Sequence, residues 1–327
     1  MRLKLVKDVT NFDFFGISKA ALALSSVLIV GSIVAFLTMG LNFGIDFRGG
    51  SLIMAETVET VDVAGTRAVL NGLELGDVSV TEVSNSAAEL VTGEQKHIVM
   101  IRIEQQADDP AAQNETIIAV KAELDREYPG IIYLQTDSVG AKVSGELIWA
   151  GIIAVVSAVL AILFYVWLRF EWQFSVGAVA SLVHDVIITI GIFCVTQIEF
   201  NLTIIAAILT IIGYSLNDTV VVFDRVRENL RKYKQMDLKE LLNLSINDTL
   251  SRTIMTSLTT IIALVAMYFL GGDVIRGFTF AMIFGIIIGT YSSIFIASVL
   301  VLFLGVKRDW DKQDGGAAGT QFADIDA

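Results

Sequence analysis

Six stretches of the chain, at 20–41, 147–168, 174–195, 202–223, 253–270 and 278–304, are almost wholly apolar. Each is close to or above the ~20 residues that a helix needs to cross a hydrocarbon core of ~30 Å. In lipid a backbone must satisfy its own hydrogen bonds, so such windows can fold only as helices unless they close a barrel. The expectation is a polytopic α-helical membrane protein with six transmembrane helices. The first window follows Arg2, Lys4 and Lys7, as a secretory signal would. It is too long for the apolar core of a signal and ends in Met39-Gly40-Leu41 without a small-residue cleavage site, so it is expected to stay as an anchor. Composition agrees, with 54% hydrophobic residues, and 2 Pro and 1 Cys exclude a proline-rich disordered chain and an internal disulfide scaffold. Cys194, inside an apolar run, reads as a small core residue.

The net charge of -12 argues against nucleic acid as a partner, which would require a basic face. That charge is concentrated: residues 42–146 hold 18 Asp or Glu against 7 Lys or Arg, and the rest is nearly neutral. Lys and Arg gather on one side of the predicted spans, 15 against 3 on the other, including Arg169, Arg225, Arg227, Arg231, Lys232, Lys307 and Arg308. By the positive-inside rule both termini (1–19 and 305–327) and the linker 225–252 are expected in the cytoplasm, with 42–146 on the periplasmic side.

That block of about a hundred residues is large enough for its own core. Apolar alternation at 51–58, 77–83 and 97–104 reads as strands, 61–73 and 111–127 as helices, and IIYLQTDSV at 131–139 as a last strand. Pro110 and Pro129-Gly130 start and stop the second helix. The order βαββαβ is that of a ferredoxin-like split βαβ unit, so the fold class is six transmembrane helices with one α+β domain between helices 1 and 2.

No catalytic constellation is visible. The domain has a single histidine, His97, at a strand start, and neither Cys/His metal spacing nor a nucleotide-binding GxxxxGK[ST] loop occurs. The expectation is therefore a protein without catalytic site, metal or cofactor. The informative residues are instead polar groups inside the spans, which cost several kcal/mol at mid-bilayer and mark function or helix contacts. His184 and Asp185 lie near the centre of the third window, Asn217 and Asp218 in the inner half of the fourth, and Arg252 just before the fifth. Counting ~1.5 Å per residue from Leu202 puts Asp218 some ~24 Å into the core, in the leaflet that Arg252 borders. Desolvation disfavours a charged carboxylate and a guanidinium restores it, and a group so balanced can change protonation with conformation, as a proton relay requires. The alternative readings are a neutral Asp218 that helps helices pack and an Arg252 that is only a positive flank. Gly177, Ser181 and Asp185 share one helix face and aim the acid at another helix.

Ala281, Gly285, Gly289 and Ser293 repeat every four positions and mark a close helix contact, within the chain or with another subunit. Between the fourth and fifth windows, Asp237 and Glu240 are spaced as a capping box and Leu238, Leu241, Leu242 and Ser245 share a side. That linker is expected along the inner surface, against anionic membrane lipid or a cytosolic partner. The stretch 309–327 reads as a disordered tail.

FGIDFRGGSL at 43–52, VHDVIITIGIF at 183–193, IIGYSLNDTVVVFDRVREN at 211–229, SRTIMTS at 251–257 and YFLGG at 268–272 resemble the SecF subunit family of the bacterial protein-export machinery. The likeness covers about residues 10–306. It implies a half-transporter of the resistance-nodulation-division superfamily in the inner membrane, paired with SecD and associated with the SecYEG channel, YajC and YidC. Such a pair draws a translocating preprotein outward with the proton motive force. The resemblance also implies that Asp218 and Arg252 serve proton passage, to which Asn217 and Asp185 are added as relay candidates; Asp46, Arg48, Gly49 and Gly50, in the FGIDFRGGSL motif, are expected to act as a hinge for the 42–146 block. The alternatives from other classes are half of a proton-driven small-molecule exporter and a non-conducting assembly scaffold.

Overall fold

The computed structural model describes residues 10–306 apart from 59, 74, 77, 85–96 and 105–109. The N-terminal cations Arg2, Lys4 and Lys7 and the tail 309–327 lie outside the described residues. Among the described residues six helices are long and apolar enough to cross a membrane. They are α1 (Ser18–Thr38), α5 (Ala141–Arg169), α6 (Trp172–Thr196), α7 (Leu202–Lys232), α8 (Leu238–Leu270) and a last rod of α9 (Asp273–Ser292), a π-turn (Ser293–Ala297) and α10 (Ser298–Leu304). Between α1 and α5 lie α2 (Ile45–Arg48), β1 (Gly50–Thr57), α3 (Val63–Asn71), β2 (Val78–Ser84), β3 (His97–Ile103), α4 (Pro110–Glu127) and β4 (Ile132–Val139).

The expected βαββαβ order is present, and its strands form an antiparallel sheet in the order β2-β3-β1-β4. Alternation puts Ile53 and Ala55 of β1, Val99, Ile101 and Ile103 of β3, and Val78 and Val80 of β2 on one face, sealed by Leu70 of α3 and Ile117, Val120 and Leu124 of α4. Asp62 caps α3 by accepting the Ala64 and Gly65 amides, and Pro110 opens α4. The other face carries Leu52, Met54, Met100 and Asp137 and overhangs the helices across a groove of about 600 Å³ that Tyr268, Arg276 and Phe280 also line.

The connection from α1 to the sheet is tied to the turn between α6 and α7. The Phe200 amide donates to the Asn42 carbonyl and the Gly44 amide to the Phe200 carbonyl, at 2.8 and 2.9 Å. Phe43, Phe47, Phe193 and Phe200 pack edge to face or tilted beneath these bonds. Gly49 and Gly50 have φ of 77° and 119°, conformations that a side chain resists, so the chain can turn sharply from α2 into β1.

In the bundle, α6, α7 and the last rod form the interior, whereas α1, α5 and α8 leave most of their apolar surface outward. The Ala281-Gly285-Gly289-Ser293 stripe is an internal contact. A Cβ on Gly285 would lie 2.3 Å from the Ile211 side chain of α7, and one on Gly289 3.1 Å from Ser215.

Two expectations about segments change. The linker 225–252 is not a separate surface helix, because α7 continues to Lys232 and α8 starts at Leu238, running unbroken through Arg252. Asp237 caps α8 as its spacing predicts. The apolar face of the linker is used up inside the protein, where Leu241, Leu242, Ile246 and Leu250 pack on Val222, Val226 and Leu230. Arg225 and Asn229 of α7 both bond Asp248, stitching the two helices. The last span, read as one helix over 278–304, is interrupted by the π-turn, where the Ser298 hydroxyl donates to the Ser293 carbonyl five residues back.

Candidate functional site

Helix α7 organises the site. Its start is held twice, by the Asn201 side chain accepting the Ile204 amide and by Asp46 Oδ2 accepting the Leu202 amide at 2.9 Å. An acid at a helix N-terminus complements the partial positive charge there. Further along, Ser215, Asp218, Thr219 and Val222, spaced at three and four residues, fall on the inward face and are buried. Asp218 is 8% exposed. The groups of α8 that act on its carboxyl are the Arg252 guanidinium, by charge, and the Ser257 hydroxyl. Ser257 in turn bonds Thr290 of α9 at 2.8 Å. Among the described residues Asp218 and Arg252 do not close into an ion pair, and Arg252 is exposed. The buried Thr219 and Thr253 hydroxyls beside this pair have no protein hydrogen-bond partner.

Asp185 is deeper still, 1% exposed on α6. Its Oδ2 accepts the hydroxyls of Ser215 from α7 at 2.6 Å and Ser292 from α9 at 2.8 Å. Its Oδ1 lies 2.9 Å from His184 Nδ1. Ser181 donates to Ser292, and Gly177 fits against the Ala297 carbonyl, so the face predicted from the spacing of Gly177, Ser181 and Asp185 packs on the last rod. Ser215 lies one turn from Asp218, so a single helix links the two carboxyl groups.

Asn217 is exposed and points away from Asp218, as the ~100° step between consecutive helical residues requires. It does not join the cluster. Asp46 reaches α7 through its Leu202 bond, whereas Arg48 is exposed at a pocket it shares with Arg102 and Glu199. The Arg102–Glu199 pair was not foreseen: it links β3 to the α6–α7 turn across 97 residues. Burial pushes the Glu199 carboxyl above the usual carboxylate range, Arg102 pulls it partly back, and Asp46 pushes it further up. Ser25 and Tyr291, which contact His184, were also missed. Ser25 sits in an apolar run where a hydroxyl can always bond its own helix, so nothing in its spacing distinguishes it.

Among the described residues no cluster of three or more His, Cys, Asp or Glu could hold a metal ion.

Residues 119–307 match the family model for the C-terminal part of the protein export membrane protein SecD/SecF, and 34–56 match the SecD/SecF GG motif. The chain is 53% identical over 326 residues to the protein translocase subunit SecF of Cereibacter sphaeroides, covering 100% of this chain and 99% of that one. It is 50% identical over 319 residues to the subunit of the same name from Rhodobacter capsulatus, covering 96% and 95%. A crystal structure of SecDF from Thermus thermophilus, described as a translocon-associated membrane protein, superposes with a TM-score of 0.79 at 33% identity. That match covers 92% of this chain and 39% of the other, so the chain spans about two fifths of the solved SecDF. Full-length likeness to the SecF subunits, the matched family models and the shared arrangement of six helices and one sheet agree: the chain belongs to the SecF family of protein translocase subunits.

Proposed function

We propose that the chain is the SecF-like half of a SecD–SecF complex that uses the proton motive force to promote late-stage translocation of preproteins across the inner membrane through SecYEG, with YajC and YidC as further associates. In this reading both termini are cytoplasmic, the sheet domain is periplasmic, and the work is transport without a catalytic site. The observation that carries it is the Asp218 carboxyl, buried on α7 and acted on by Arg252 of α8. The outward apolar faces of α1, α5 and α8, and the exposure of Asn217 and Arg252, support a missing half of the bundle in the form of SecD.

A proton entering Asp218 neutralises it and frees Arg252 from its attraction, which changes the packing of α7 against α8. One proton crossing ~100 mV supplies ~2.3 kcal/mol, about a 50-fold shift between two states. The shift reaches the sheet domain through α7, whose start is held by Asp46 of the Asp46–Gly50 hinge. Asp218→Asn tests the reading in cells that depend on this subunit. Loss of gradient-dependent export with SecD co-purification intact is expected; normal export by the variant overturns it.

A further inference from the structure

The His184–Asp185 pair joins four elements, and its hydrogen-bond protons can be counted. Around Asp185 every neighbour donates: Ser215 and Ser292 give their hydroxyl protons to Oδ2, leaving the carboxylate as an acceptor. On its other side His184 Nδ1 faces Oδ1 at 2.9 Å, so one proton is shared between those atoms. From His184 Nε2 a chain then runs to Ser25 Oγ at 3.2 Å, from Ser25 to Tyr291 Oη at 2.9 Å, and from Tyr291 to the Ala21 carbonyl at 2.6 Å.

That chain has three contacts. The Tyr291 hydroxyl must donate to the carbonyl, which has no proton of its own, and Ser25 has one proton for two neighbours. If Nε2 is bare, Ser25 turns its proton to it and the Ser25–Tyr291 contact is left with none. If Nε2 carries a proton, all three contacts are filled. The protonated form is also neutral overall, an imidazolium beside a carboxylate, whereas the other form leaves a lone negative charge almost fully buried. Two protonations on one pair are coupled, so the count belongs to the unit and not to either residue. Among the described residues the other titratable group in contact with it is Tyr291, stacked on the imidazole at 6.1 Å.

We propose that His184 and Asp185 form a second proton-binding unit, with one exchangeable proton on His184 Nε2, and that this proton completes the hydrogen-bond chain that ties α1 to α6 and α9 through Ser25. Release of the proton takes the unit from neutral to one negative charge. Ser25 then rotates toward Nε2, and one of the two bonds between α1 and Tyr291 of α9 is lost, the Ser25–Tyr291 contact, while Tyr291 keeps the Ala21 carbonyl. Helix α1 leads directly into the segment that carries the sheet domain, so the unit reports protonation to that domain by a route separate from Asp218. Ser215, which bonds Asp185 and lies one turn from Asp218, puts both units against the same helix, α7. The transport role of this second unit rests on the proton-driven reading above; its protonation state does not.

The chain has two histidines, His97 and His184, so ¹⁵N-histidine labelling with His97→Gln isolates one imidazole. The probe is nitrogen NMR of the labelled full chain in phosphatidylethanolamine–phosphatidylglycerol bilayers between pH 5 and 10. The expected result is two protonated nitrogens at pH 7, with one lost on alkalinisation. Ser25→Ala should leave one nitrogen bare at pH 7, and Ser25→Thr, which keeps the hydroxyl, should not. A singly protonated His184 from pH 5 upward overturns the proposal, as does a Ser25→Ala spectrum identical to that of the parent. Normal export by Asp218→Asn would instead remove the proton-driven reading while leaving these nitrogen signals untouched, so the two failures are separable.

Discussion

Asp46 Oδ2 accepts the Leu202 amide at 2.9 Å, so a residue of the glycine motif ahead of the sheet domain caps the helix that carries Asp218. The bond puts the hinge at the start and the buried carboxyl at the middle of one rigid helix, ~24 Å apart along its axis. A change in how α7 sits is therefore felt at the hinge without any intervening flexible segment.

Asp46→Ala should lower stability by about 0.5–2 kcal/mol, the usual range for a lost cap, and Asp46→Asn by less because it keeps an acceptor. Thermal unfolding of the purified chain in detergent measures both. Equal losses for the two variants would show that the charge, not the hydrogen bond, holds the helix start.

The exposed Arg252 should be replaceable by Gln with a stability change within about 0.5 kcal/mol, because no closed ion pair is lost. Export driven by the gradient should nevertheless fall at least tenfold in that variant. Parallel melting and export assays separate the effects, and unimpaired export would leave Arg252 as a simple flanking charge.

Gly191 lies against Ser32 of α1 so closely that an added Cβ would sit 2.7 Å from the Ser32 Cα, a contact that backbone cannot yield. Gly191→Ala should therefore push α1 off α6 at a cost of about 1–3 kcal/mol. Gly31, with nothing within 4 Å of its added Cβ, is the matched control and should tolerate Ala.

Glu199 predicts a pH dependence. Its value in the folded protein is raised, chiefly by burial, so the neutral acid is favoured over the unfolded state. The resulting stability is fully present below the ordinary carboxylate range and is lost as pH rises through the raised value. Against Glu199→Gln, which cannot ionise, the parent should lose relative stability as pH increases from about 4 to 7. A difference that grows in the parent's favour over that range would mean that the pairing with Arg102 outweighs desolvation.

What was legible in the sequence followed from period and length. Apolar windows of span length placed all six helices, and alternation around Ile53, Val99 and Ile101 placed the strands. The Gly177–Ser181–Asp185 spacing also pointed to the helix contact that forms. What was missed depends on distant partners. The Arg102–Glu199 pair joins two positions each unremarkable in its own segment. Nothing local tells that Leu241 and Leu242 face α7 and not lipid, since both surfaces accept leucine. Asn217 was grouped with Asp218 by adjacency, although neighbours in a helix point in different directions.

The π-turn at Ser293–Ala297 amounts to one surplus residue in the hydrogen-bond ladder of the last rod. Such a defect resembles a dislocation in a crystal, a local misfit that leaves regular order on both sides. Tyr291 and Ser292 stand immediately upstream of it, in contact with His184 and Asp185. Held where it is, the extra residue fixes the rotational phase at which the two halves of the rod meet, and with it the way Tyr291 and Ser292 face α6.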